Sequence, residues 1–259
     1  MKIFLHVAVL LVLTMSLGCG STGGSQNPAL KTERSRADAA KTQVALGFGY
    51  LDRGDNEEAL LRFERALSFD DRSHDAQTGL GVLFERIGRK DQAETAYRRA
   101  VRLAPKRGSL RNNLGQFLCR HERYADASKE FALALDDPFY QTPAVAAKNA
   151  GSCARLSGDY VESERLLRIA IERDPNSKEV FMPMAAVLLE RNQALKARAY
   201  IQRYEDSGLP ESEEFLVLAV RVEEKLNDLK NAQAYKQKLI QQFPNSEAAQ
   251  AAALIQQSE

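Results

Sequence analysis

The chain has 259 residues, enough for one or two domains, and its 44% hydrophobic and 27% charged content is the ordinary mix of a folded protein. A formal net charge of +1 gives no electrostatic footprint for nucleic acid and none for a polyanionic substrate. Aromatics make up 7% and Trp is absent, as expected where Ala and Leu supply most of the helix packing.

Met1-Lys2 gives a short positive start, and Ile3 to Leu13 is apolar apart from His6. That run is too short for a membrane span and fits the core of a secretory signal. Ser16-Leu17-Gly18-Cys19 follows. A Cys directly after Leu-Gly resembles the lipobox of bacterial lipoproteins, which implies that residues 1–18 are a signal peptide and that Cys19 is acylated. Ser16 departs from the lipobox, which usually has Leu three residues before the Cys. The alternative is an ordinary signal cleaved nearby, leaving a soluble periplasmic protein. Gly20 follows the Cys, with no Asp to retain the protein in the inner membrane, so the resemblance implies the periplasmic face of the outer membrane. Several acyl chains on one residue would hold it there stably, whereas one chain binds only marginally.

Residues 19–36 read as a flexible tether, because Gly20 to Pro28 is rich in Gly, Ser, Thr and Asn. The first packed helix is expected to begin near Ala37.

From residue 37 to residue 246 the chain repeats itself. Leu46-Gly47 recurs as Leu80-Gly81 and Leu114-Gly115, and Ala59, Ala93 and Ala127 keep step. So do Phe63, Tyr97 and Phe131, and Ala66, Ala100 and Ala134. The step is 34 residues, the period of the tetratricopeptide repeat, a helix-turn-helix unit. The fold class is therefore all-α: a solenoid of about six such units (40–73, 74–107, 108–141, 144–177, 178–211 and 213–246) forming a right-handed superhelix. In each unit a large apolar residue and then a small one let the second helix come close to the first. Gly54, Gly88, Gly158, Asn192 and Asn227 occupy the turn, where positive φ is needed. Glu122 alone departs from that pattern. Pro105, Pro138, Pro175, Pro210 and Pro244 end units, since Pro cannot continue a helix.

The sixth unit has Val220, Glu223 and Lys236 where small or apolar residues are expected, and reads as a cap. Residues 247–259 read as a solvating last helix or a frayed end. Between the third and fourth units the register slips by two residues at Asp136 to Pro143. Two prolines and two aromatics there indicate a defined loop.

Cys119 and Cys153 lie late in the first helices of units three and four, which are neighbours in a solenoid. In an oxidising compartment this allows a disulfide; two buried small apolar side chains are the alternative. His121 alone cannot complete a metal site with them. No catalytic constellation and no Gly-rich phosphate loop is present, so the expectation is a protein without enzyme activity, metal, cofactor or small-molecule substrate.

Such an array binds other proteins. By this register the first helices expose one inner stripe: Lys41, Val44 and Phe48, then Thr78 and Val82, then Asn112 and Gln116, then Lys148, Ser152 and Arg155. Its amide and basic side chains suit an extended peptide, and Val44, Phe48 and Val82 offer an apolar patch. Any solenoid has side chains on its inner face, so each position is a candidate only.

The middle segments carry a more specific resemblance. Asn112-Asn-Leu-Gly-Gln-Phe-Leu-Cys119, Asp137-Pro-Phe-Tyr-Gln-Thr-Pro143, Asn149-Ala-Gly-Ser-Cys-Ala154 and Arg198-Ala-Tyr-Ile-Gln-Arg-Tyr204 resemble the type IV pilus biogenesis lipoproteins called PilF or PilW. The resemblance implies a pilotin: an adaptor that helps the pilus secretin reach and assemble in the outer membrane, and so supports pilus extrusion and twitching motility. The partner it implies is the secretin or another pilus assembly protein. Two other readings are a general scaffold for outer-membrane protein assembly and a module that recruits a peptidoglycan enzyme.

Overall fold

The computed structural model describes residues 28–258. The expected signal peptide and Cys19 lie outside the described residues.

Among the described residues the chain is all-helical. Helices α1 (Pro28–Asp52) and α2 (Asn56–Phe69) form the first hairpin, α3 (His74–Arg86) and α4 (Lys90–Leu103) the second, and α5 (Gly108–Arg120) and α6 (Tyr124–Leu135) the third. Helices α7 (Pro143–Leu156) and α8 (Tyr160–Arg173) follow, then α9 (Phe181–Glu190) with α10 (Ala194–Asp206), and α11 (Glu213–Lys225) with α12 (Leu229–Gln242). A single 3-10 turn, Lys178–Val180, leads into α9, and α13 (Glu247–Ser258) ends the array. Each helix packs most heavily on its hairpin partner and next on the helix of the adjoining unit, the signature of a solenoid.

The small-against-large rule explains the hairpins. A Cβ on Gly47 would come within 2.5 Å of the Phe63 ring, on Gly81 within 2.7 Å of Tyr97, on Gly115 within 2.9 Å of Phe131 and on Gly151 within 2.8 Å of Leu167. The two helices touch because nothing projects from the first. The large partners are buried, and each contributes about 1.5–3 kcal/mol of transfer free energy before entropy is counted. The clusters they nucleate share members along the array, with Val82 and Phe84 joining the first units and Leu135 joining the third unit to the fourth and fifth.

The turns follow the expected positions, with one correction. Gly54, Gly88, Gly158, Asn192 and Asn227 all have positive φ, and so does Glu122, at 60°. Glu122 therefore keeps the conformation of the pattern while departing from it in residue type. The hairpin geometry imposes the left-handed turn, and the side chain tolerates it at a cost. The next residue caps the second helix where it can: Asp55, Asp159 and Asp228 each accept a backbone N–H of the first turn.

Three more elements differ from expectation. Helix α1 starts at Pro28, nine residues before Ala37, and Thr32–Arg36 of the expected tether are exposed helix, with no apolar period to betray it in the sequence. The tail is not frayed: α13 lies on α12 with Ala249 and Ala252 buried, so the cap is this helix. The sixth unit instead continues the array. Glu223, only 2% exposed, accepts from two side-chain nitrogens of Arg198, Nε and Nη2, and Lys236 pairs with Glu224 at 2.8 Å.

The slipped junction is pinned. One Asp137 carboxylate oxygen accepts the Gly108 N–H at 2.8 Å and the other accepts the Phe139 N–H at 2.9 Å. These two donors hold the Asp137 carboxyl below the usual carboxylate range. Tyr140 rests against Gly108, while Phe139 is 83% exposed.

Candidate partner-binding surface

The expected stripe lies on the first helices α1, α3, α5 and α7, and the structure divides it. Three members are packing residues. Val44 is buried with Ala66 and Ala76. Thr78 is buried and its hydroxyl donates to the His74 carbonyl at 2.9 Å, a bond back to its own helix. Asn112 is 4% exposed, and its Oδ1 accepts Asn149 Nδ2 at 3.0 Å. These three are corrections to the expected surface. The 34-residue register says which way a side chain points, but not that the neighbouring unit's first helix covers it.

The other seven reach solvent. Lys41 is exposed and lies 3.7 Å from Asp38, an exposed pair of little energetic weight. Phe48, Val82, Gln116, Lys148, Ser152 and Arg155 are half-buried. Phe48 meets Phe63 edge-on at 5.2 Å between ring centres. Apart from Lys41, the surface is thus apolar in units one and two and polar in units three and four. In its polar half, Lys148 helps hold the Glu179 carboxyl below its usual range, after the larger effects of the Glu179 N–H and Ser177.

Sequence reading missed Asn149, whose amide bonds α7 to α5, and Met182 and Ala186, half-buried one register step beyond Lys148 and Ser152. Asn149 was legible as the residue beside Lys148. Met182 and Ala186 needed the stripe to be carried one unit further.

The inner junctions are held by bonds between units. Glu85 on α3 takes two side-chain nitrogens of Arg120 on α5 at 2.6 and 2.8 Å and accepts from Tyr97 Oη at 3.2 Å. Burial, then Glu85, push the Tyr97 phenol up, so it is a neutral donor at every physiological pH. A disulfide joins Cys119 of α5 to Cys153 of α7, with their Cα atoms 5.8 Å apart. Among the described residues no group of three or more His, Cys, Asp or Glu side chains is placed to hold a metal ion. The surface can do what helix faces with free amides, cations and apolar edges do, which is to hold a peptide by hydrogen bonds and contact.

Comparison with known proteins agrees with that architecture. The tetratricopeptide-repeat family matches residues 44–108 and 84–140. The type IV pilus assembly protein PilF of Pseudomonas aeruginosa is 27% identical over 241 residues, which covers 93% of this chain and 95% of that protein. The crystal structure of PilW, described as a widely conserved type IV pilus biogenesis factor, superposes with a TM-score of 0.78 at 26% identity, over 83% of this chain and 98% of PilW. The structure of Pseudomonas aeruginosa PilF superposes with a TM-score of 0.75 at 25% identity, over 87% of this chain and all of that one. Similarity therefore runs over nearly the whole chain, beyond the generic repeat, and the protein is a tetratricopeptide-repeat protein homologous to PilF of Pseudomonas aeruginosa and structurally similar to PilW.

Proposed function

We propose that this protein is a pilotin: a lipid-held adaptor that brings type IV pilus secretin subunits to the outer membrane and supports their assembly there. The observation that carries the reading is similarity over nearly the whole length to a type IV pilus assembly protein and a type IV pilus biogenesis factor. In this reading the labour is divided. Acylated Cys19 anchors it to the periplasmic face of the outer membrane, and the repeats bind the partner. The half-buried row of Phe48, Val82, Gln116, Lys148, Ser152 and Arg155 is the binding face. Phe48 and Val82 take apolar side chains, Gln116 and Ser152 bond the partner's backbone, and Lys148 and Arg155 favour carboxylates.

Affinity purification of the tagged full chain from solubilised envelopes tests this directly. Secretin is expected to co-purify, and Gln116→Arg with Lys148→Glu is expected to lower its recovery at least fivefold. Recovery of other pilus proteins without secretin would overturn the secretin assignment. Undiminished recovery with the double variant would overturn the assignment of the face.

A further inference from the structure

One register position closes the junctions between units on the side built from second helices. Glu94 on α4 reaches Arg123, in the turn of the next unit, at 2.6 Å. Glu164 on α8 reaches Arg191 in the same way, and Arg198 on α10 reaches Asp228 at 3.1 Å as well as Glu223. In the first unit the position is Leu60, which packs with the cluster around Phe63 and Leu83. In the third unit it is Ser128, exposed on α6. Neither residue flanking the turn glycine Gly158 reaches across to it. The Ser157 hydroxyl donates to the Ala154 carbonyl, and the Asp159 carboxylate accepts the Glu162 N–H.

The junction is consequently open. A groove of about 620 Å³ runs between α6 and α8, with Ala125, Ser128 and Ala132 on one wall, Leu166 and Ile169 on the other, and Cys153 in its floor. The disulfide ties the two units directly beneath the opening, so the junction keeps a covalent link where it lacks the outer ion pair. Its volume falls in the roughly 300–1,000 Å³ of sites that take a ligand or a few side chains. Each end carries a carboxylate, Asp159 at the start of α8 and Asp136 at the end of α6, where the helix C-terminus adds partial negative charge. Neither is in an ion pair among the described residues, and Glu162 is matched by Arg165 at 2.6 Å. Two unpaired carboxylates thus face a single unpaired lining cation, Arg173.

We propose that this groove is a second protein-docking site, for a short apolar segment flanked by Lys or Arg in a partner protein. It is independent of the first-helix face assigned above. The apolar residues lie against small side chains that permit close approach, and the basic flanks meet Asp136 and Asp159.

Selection of a phage-displayed random heptapeptide library on the immobilised full chain tests the proposal. Peptides with an apolar centre and basic ends are expected to be enriched. By fluorescence anisotropy their binding is expected to weaken at least tenfold in Ser128→Arg, which fills the groove from an exposed helix position, and severalfold in Asp136→Lys. Lys148→Glu, on the other face, is expected to leave it unchanged, which separates this site from the secretin-binding assignment. Circular dichroism melts of the variants check that the fold persists. Enrichment of no motif, of acid-flanked motifs, or of motifs indifferent to both Ser128→Arg and Ala132→Arg would overturn the proposal. So would a dimer that dissociates on either substitution, since the occupant would then be a second copy of this chain.

Discussion

At Glu122 the backbone holds φ at 60° in a residue with a side chain. That conformation costs an ordinary L-residue about 1–2 kcal/mol, and glycine does not carry the cost. Glu122→Gly is therefore expected to raise stability by about 1 kcal/mol, less what the more flexible unfolded chain takes back, as urea midpoints would measure. Gly115 is the reverse case. A Cβ there would lie 2.9 Å from the buried Phe131 ring, so Gly115→Ala is expected to cost about 1–3 kcal/mol in the same assay. Both residues show what a repeat register conveys. It marked Gly115 as the small partner, because packing writes itself into residue type. It marked Glu122 as an exception, because backbone conformation does not have to.

Between elements, two kinds of tie hold the units together. The Cys119–Cys153 bridge closes a loop of 34 residues. In the chain-entropy account that stabilises by about 4 kcal/mol, so adding a reductant is expected to lower the urea midpoint substantially. Cys153→Ala is expected to remove that dependence on reductant. The second tie is ionic. Burial raises the Glu94 carboxyl, but Arg98 and Arg123 overcome this and hold it below its ordinary 4.5; Arg168 and Arg191 do the same for Glu164. A carboxylate with a depressed folded pKa gives stability that is fully present above its unfolded pKa and lost as pH falls through the folded one. Stability is thus expected to decline as pH drops below about 4.5, and more shallowly in an Arg123→Met, Arg191→Met double variant. Ordinary helix boundaries were legible because Gly, Asn and Pro punctuate them. The early start of α1 was not, since a solvated helix shows no apolar period, and the packing of α13 was hidden in an Ala/Gln-rich stretch.

For the molecule as a whole, the period of 34 residues was enough to derive the solenoid and its six units. The face proposed for binding was legible only in part. Register gives direction, and whether a residue on the inner stripe is free depends on the packing around it, which buries Val44, Thr78 and Asn112 and leaves Gln116 and Lys148 half-buried. The groove beside Ser128 was invisible for a related reason, because it exists through the absence of a contact that three other junctions make. One covalently tied junction thus separates two surfaces: the first-helix face assigned to the secretin, and the open groove between α6 and α8.

The most direct test of the pilotin account is secretin assembly in a strain lacking this chain, beside a strain carrying Cys19→Ala. Unheated membranes are fractionated and probed for secretin multimer against monomer. The account predicts that the deletion loses multimer from the outer membrane and that Cys19→Ala leaves secretin in the wrong membrane. Multimer of normal amount and location in the deletion strain would contradict it.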